Sequence, residues 1–546
     1  MFVGGIKNKY MKLKVFMVFF GLIIGRLVAG QDVIPKDSLV ADFRLFVKYL
    51  EATHPDPYSG FGGKVFFHKK VRETEQQLEK QDRSSDEFIR LVSAFIAPLG
   101  DGHTNLSRGD EDGEISELPV RFRVVSDGIV LAGLPDSLRS FLGCRLIALD
   151  GVSVEQLFER TGQVIACENR YGCCLAFARN AAVREFLKSL SLNVGEKVRV
   201  SVETPEGSLQ DLMLPFLSQE VSGNTDMAFC PAWEKVEKMP YMGYGFLDDG
   251  RQIMYFRLKS VMAREAYDYM YRKNWGGFDS QLRSFYEYTL QKKMPENMDE
   301  AIAGIPAMAE EFRDMLVEMK KHNTPYLIID LRGNGGGFTP ITLPTIYQMY
   351  GDRYLETDMS ARFYRMLSPL YMQKINMSLD DFNKQYQTSF DYGDYLFDDS
   401  EPADKADPER LRENFINQTL GNAKEVIGNL NGKPVYTPEQ VFVITDAATF
   451  SAAFHYAFYL WKMGATIIGV PSSQAPNTFM EATFFELPRT KVKGSISNSA
   501  QYFLSPADKR AKTFYPDMMP AYADYARYGF DKHAEVMYLM DYLNKE

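Results

Sequence analysis

The chain is poor in the residues that would mark several whole classes of protein. The chain has only five cysteines in 546 residues, in no spacing that dictates a disulfide pairing and with no paired Cys-x-x-Cys framework. No histidine stands near Cys167, Cys173 or Cys174 to complete a zinc site, so no metal is expected. No lysine-arginine run follows the N-terminus and the formal net charge is −10, which argues against a nucleic-acid partner, because phosphate binding needs a basic surface. No adenine- or CoA-binding signature is present, no cofactor is expected, and no internal repeat of fixed period is visible. The apolar run Val15 to Gly25 is interrupted at Arg26 and falls short of the ~20 residues a membrane span needs. What remains is an ordinary globular composition, 45% hydrophobic and 25% charged, on a chain too long for one core. Roughly two to four domains are expected from that length.

The N-terminus carries Lys7, Lys9, Lys12 and Lys14, then the apolar run, then Val28, Ala29 and Gly30. These are the three parts of a secretory signal peptide over residues 1–30, cleaved near Gly30. An exported protein, periplasmic or extracellular, with no stable membrane span after cleavage is therefore expected. In such a compartment Cys144, Cys167, Cys173, Cys174 and Cys230 read as buried free thiols, or as one or two disulfides with a thiol left over.

Residues 31–114 read as a helical unit. SLVADFRLFVKYLEATHPDPYSG starts with a capping serine, and SSDEFIRLVSAFIAPLG ends at the turn DGHT. His54 and His68 read as surface or packing residues. Residues 115–216 change to short alternating strands, as in KVRVSVETPEG. Within them Gly143 to Leu157 resembles the strand-turn-helix of a PDZ domain, which either grips a peptide end by strand addition or only packs. Residues 250–546 form the last domain: a strand over Gly250 to Val261, a helix from Met298 to Lys321 and a strand from Tyr326, a succession that implies parallel pairing. An insertion at about 354–431 is either a solvated excursion or a substrate-lining lid. The C-terminus ends in an amphipathic helix.

Three stretches carry the chemistry. In VFVITDAATFSAAFHYAF, Ser451 falls where strand becomes helix, at the positive end of the helix dipole; it reads as a nucleophile or as a plain N-cap. In YLIIDLRGNGGG the glycines let backbone N–H groups converge as an anion nest. In PLGDGHTNL, His103 sits in a glycine-bounded turn. Together they supply a nucleophile, an oxyanion site and a general base, the minimum for acyl transfer.

In that order, DGHT, DLRGNGGG and T-x-SAA resemble the tail-specific or carboxy-terminal processing serine proteases, in particular their tricorn-like branch. The resemblance implies a multidomain α/β protein with a crotonase-like core, and an endopeptidase acting on a protein or peptide substrate, with a homo-oligomer admissible. His103 would deprotonate Ser451, and the oxyanion would be held by the N–H of Ala452 and of Gly335 or Gly336. Relatives with a serine-lysine pair carry the lysine in the loop Val470 to Thr478. That loop has none here, and Lys462 lies too far along the helix. His455, one turn after Ser451, is a local rival base. Tricorn-like members orient the histidine through a neighbouring serine and a glutamate before the C-terminal PD. Here Gly102 adjoins His103 and no glutamate precedes Pro516, leaving Asp101, Asp508, Glu481 and Glu486 as candidates by type. A peptide-binding scaffold without turnover, and an ester or thioester hydrolase, are the alternatives.

Overall fold

The computed structural model describes residues 33–107, 116–398 and 407–544, so the expected signal peptide lies outside the described residues. In the N-terminal unit, Ser84 and Glu87 form a reciprocal capping box that starts the helix Ser85–Ile96. Its Phe88, Val92 and Phe95 meet Phe43, Phe46 and Leu50 of the helix Lys36–Thr53 in one buried cluster. That first helix departs from expectation. It begins behind Pro35, whose carbonyl accepts the N–H of Ser38 and Leu39, and no serine side chain caps it. Beyond Ile96 the chain turns at left-handed Gly100, passes through the DGHT turn and pairs Asn105–Ser107 antiparallel with Ser495 to Lys493. The unit thereby holds His103 against the last long strand of the chain.

The β-rich segment forms a seven-stranded sheet. Its hairpin Lys197–Glu203 and Leu209–Pro215 alternates as half-buried strands should, with Val198, Val200 and Val202 turned inward. The Gly143 to Leu157 stretch is a strand, Arg145–Leu149, a turn through Asp150 and Gly151 at positive φ, and a helix, Val154–Val164, started by a second capping box. A further helix, Arg170–Asn180, packs on the same sheet. The link between these two helices, residues 165–169, bonds to the C-terminal domain, Glu168 accepting Ala475 N and Asn169 donating to Ser472 O.

That domain is built on a five-stranded sheet in the order Met242–Phe246, Ile253–Leu258, Tyr326–Asp330, Gln440–Thr445, Thr466–Gly469. The first pair is antiparallel and the others parallel, as the strand-helix-strand succession implied. The inner strands are buried on both faces, which is why they read as unbroken apolar runs. Because Asp330 pairs with Ile444, the glycine nest and the turn before Ser451 leave the same end of adjacent strands. Ligand sites form at that end of a parallel sheet. The single helix expected over Met298 to Lys321 is two, Met298–Ala303 and Met308–His322, because Gly304 and Pro306 interrupt it.

The insertion is not merely a solvated loop. Its strand Arg362–Met366 pairs with Tyr502 to Ser499, and Tyr395–Asp398 adds beyond it. No helix among the described residues is long and apolar enough to cross a membrane.

Candidate active site

Ser451 occupies the cap position of the helix Ala452–Lys462, yet its side chain caps nothing. Its backbone is held at φ 53°, ψ −124°, a conformation costly for a residue with a Cβ. The turn is stitched in place from several sides. Phe450 N donates to Asn334 O at 2.9 Å, Thr449 Oγ1 to Leu331 O at 2.9 Å, and Ser451 N to Gln474 Oε1. This strain lifts the hydroxyl off the helix end and toward the imidazole: Ser451 Oγ stands 3.4 Å from His103 Nε2. That is long for a hydrogen bond and within the looser range of a resting catalytic pair. The two residues are 348 apart in sequence.

The nest fits directly beneath. A Cβ on Gly336 would lie 2.7 Å from Ser451 Cβ and 2.9 Å from Ala452 N, and the residue sits at φ +107°. Its N–H is donated to Asn334 Oδ1 at 2.9 Å, so Gly336 shapes the nest and is not the oxyanion donor in this arrangement. Gly335 N and Ala452 N have no hydrogen-bond partner among the described residues, and Gly335 lines the same cavity as Ser451 and His103. Asn334, wholly buried, anchors the loop by donating Nδ2 to Leu258 O at 3.0 Å.

Below the nest lies a buried ion network that the motif did not disclose. Arg332 donates to both oxygens of Asp330, at 2.9 and 2.6 Å, and to Glu535, which also takes Arg123 from the β-rich sheet at 2.8 Å and Tyr525 at 3.0 Å. Burial opposes charge here, but Arg332 holds the Asp330 carboxyl far below its usual range. The Asp and Arg of DLRG are therefore structural.

Burial holds the His103 imidazole below its ordinary 6.5, with the Lys374 charge adding to the effect, so it is neutral and able to accept a proton. His455 is excluded as the base by its bonds. Its Nδ1 meets Thr339 Oγ1 at 2.9 Å, its Nε2 meets Gln501 Oε1 at 2.7 Å, and burial pushes it down to about 4. Lys462 donates to Ser360 Oγ at 3.0 Å, away from the site. His54 packs inside, 3.3 Å from Asp101, while His68 is half-exposed.

None of the four acids named from sequence lies within 4.0 Å of an imidazole nitrogen, although the Asp101 charge acts on the ring. Asp508 pairs with Arg510, Glu481 with Arg365, and Glu486 with Lys491 and Lys493. Asp101 braces the turn, taking His103 N at 2.8 Å on one oxygen, with His54 and Thr104 on the other. Burial would raise its carboxyl; those partners bring it down to about 2. The carboxylate that does face His103 Nδ1, at 3.9 Å, is Glu168, from the link of the β-rich segment. No local pattern marked it. Asp101, His103 and Glu168 each offer a ligand atom within 4.8 Å of the others. Both carboxylates also accept backbone N–H groups, Asp101 from His103 and Glu168 from Gly102 and Ala475. All five cysteines are free.

Residues 281–509 match the sequence model of peptidase family S41. The match contains the nest and Ser451; His103 and Glu168 lie outside it. A comparison with curated proteins finds no match. Among solved structures, mature CPAF complexed with lactacystin is similar over 94% of this chain and 99% of its own, at 13% identity and a TM-score of 0.56. Mature CPAF is similar over 92% and 97%, at 14% identity and 0.56. The photosystem II D1 C-terminal processing protease covers 88% and 92%, at 13% identity and 0.35. At such identities the likeness to CPAF establishes the fold.

Proposed function

We propose that the chain, whose residues 281–509 match peptidase family S41, is an exported serine endopeptidase working through an acyl-enzyme on Ser451 with His103 as general base. The observation that carries this is a strained serine whose hydroxyl lies 3.4 Å from a neutral imidazole, beside two uncommitted backbone N–H groups. His103 Nε2 takes the Ser451 proton as Oγ attacks the peptide carbonyl. The oxyanion is met by Ala452 N–H and Gly335 N–H, and the proton then passes from His103 to the leaving amine. Water, deprotonated by the same imidazole, cleaves the acyl-enzyme and restores Ser451.

On this reading the five-stranded domain is a crotonase-like core of the tricorn-like kind, and the β-rich sheet is a PDZ-like module. Phe363, Arg365 and Lys374 of the insertion line the same large cavity as Ser451, which supports a substrate-lining role for that insert. Export rests on the basic and apolar N-terminus. A fluorophosphonate should label the purified chain at Ser451, S451A and H103A should lose both label and peptide hydrolysis, and H455A should keep them. Full hydrolysis by H103A would refute the assignment.

A further inference from the structure

We propose that Glu168 is the positioning residue for His103, so that the β-rich module, and not the peptidase core, supplies the carboxylate of the catalytic set. The inference rests on the peptidase reading above and adds a third member to it.

Three observations converge. Glu168 Oε1 faces His103 Nδ1 at 3.9 Å, and no other carboxylate among the described residues comes within 4.0 Å of either ring nitrogen. That Nδ1 is buried and has no hydrogen-bond partner, and a buried N–H in that state calls for an acceptor. The carboxylate is also built in. Its side chain is 1% exposed, Oε1 accepts Gly102 N at 3.2 Å and Oε2 accepts Ala475 N at 2.8 Å, while the next residue, Asn169, donates to Ser472 O at 3.0 Å. The link thus bridges the histidine turn and the loop beside the nucleophile. The room it occupies exists because residue 102 is glycine: a Cβ there would stand 2.9 Å from Glu168 Oε1 and 2.8 Å from the Phe450 ring. Gly102 and Glu168 are one device.

For His103 to accept a proton at Nε2, Nδ1 must carry the hydrogen, and an acceptor at Nδ1 fixes that tautomer and stabilises the imidazolium formed next. A shift of ~1 Å closes the 3.9 Å gap to hydrogen-bond range. Burial pushes the Glu168 carboxyl up to about 8, the Asp101 charge adding to it and the two backbone N–H groups opposing. The other charged or titratable groups about the pair are His54 behind Asp101, Lys374 on the insertion, His455 and the adjoining Cys167. The competent form has Glu168 ionised, so activity rises as pH passes about 8. The rival acceptor is the Phe479 backbone, which also faces the imidazole.

The test measures the rate of fluorophosphonate labelling at Ser451, and of peptide hydrolysis, from acid to alkaline pH in wild type, E168Q and E168D. E168Q should be slower by at least about 100-fold at alkaline pH. Its rising limb should move from near 8 to below 6.5, where His103 alone governs it. E168D should recover part of the rate and the alkaline limb, which a folding defect would not. A wild-type chain that labels while E168Q labels within about tenfold on an unmoved limb overturns the positioning role alone, and points to Phe479. A wild-type chain that takes no label overturns the peptidase reading and this role with it.

Discussion

Replacing Gly336 by alanine should cost activity that the same change elsewhere in the loop does not. The new Cβ would lie 2.7 Å from Ser451 Cβ, 2.8 Å from Phe450 O and 2.9 Å from Ala452 N, two of them backbone atoms that cannot swing aside. Relief requires moving the nest or the nucleophile turn by about half an ångström or more, toward separations near 3.5 Å. Either movement misaligns Oγ and the Ala452 and Gly335 donors. Losing one such donor costs about 3 kcal/mol of transition-state stabilisation, and G336A should therefore lower kcat about 100-fold or more. The folded state bears the φ of +107° and the crowding, together about 2 to 4 kcal/mol. Gly333 provides the control. It sits in the same loop at φ +72°, and a Cβ there meets nothing within 4 Å. G333A should lose about 1 to 2 kcal/mol and keep kcat within about tenfold. Denaturant unfolding and hydrolysis of one fluorogenic peptide by both variants make the comparison. Equal kcat in the two would show that contact with the nucleophile turn is irrelevant.

Two further outcomes follow from buried charge. R332A strands Asp330 and Glu535 without their shared cation and should lose about 3 to 5 kcal/mol in denaturant unfolding; a loss below about 1 kcal/mol would mean the network is not coupled as drawn. The Asp101 carboxyl is depressed in the fold, to about 2 from 3.8, so its contribution is present above the unfolded value and lost as pH falls from about 4 toward 2. That contribution is about 2 kcal/mol, and D101N should flatten the acid limb of stability over this window; an unchanged acid limb would remove Asp101 as its source.

The sequence by itself determined the elements whose causes are local. Apolar runs became buried parallel strands, the Ser84 capping box began its helix, and glycines at DLRGNGGG left the sheet as a nest beside Ser451. Ser451, His103 and the nest could be named because each sits in a short pattern with its own physical logic. Tertiary structure alone decided which of the alternatives held. Nothing near Ser451 in the chain says that its hydroxyl abandons the helix cap for an imidazole 348 residues away, nor that both nitrogens of His455 are occupied by Thr339 and Gln501. Glu168 is the plainest case. It lies in a link with no motif, 66 residues from the Gly102 N–H it accepts, and its environment is made by a turn lacking a Cβ and by a loop, from two other parts of the chain. Periodicity and capping act over a few residues and can be read in order. A carboxylate's partner is set by distance and burial, which exist only once the chain has folded.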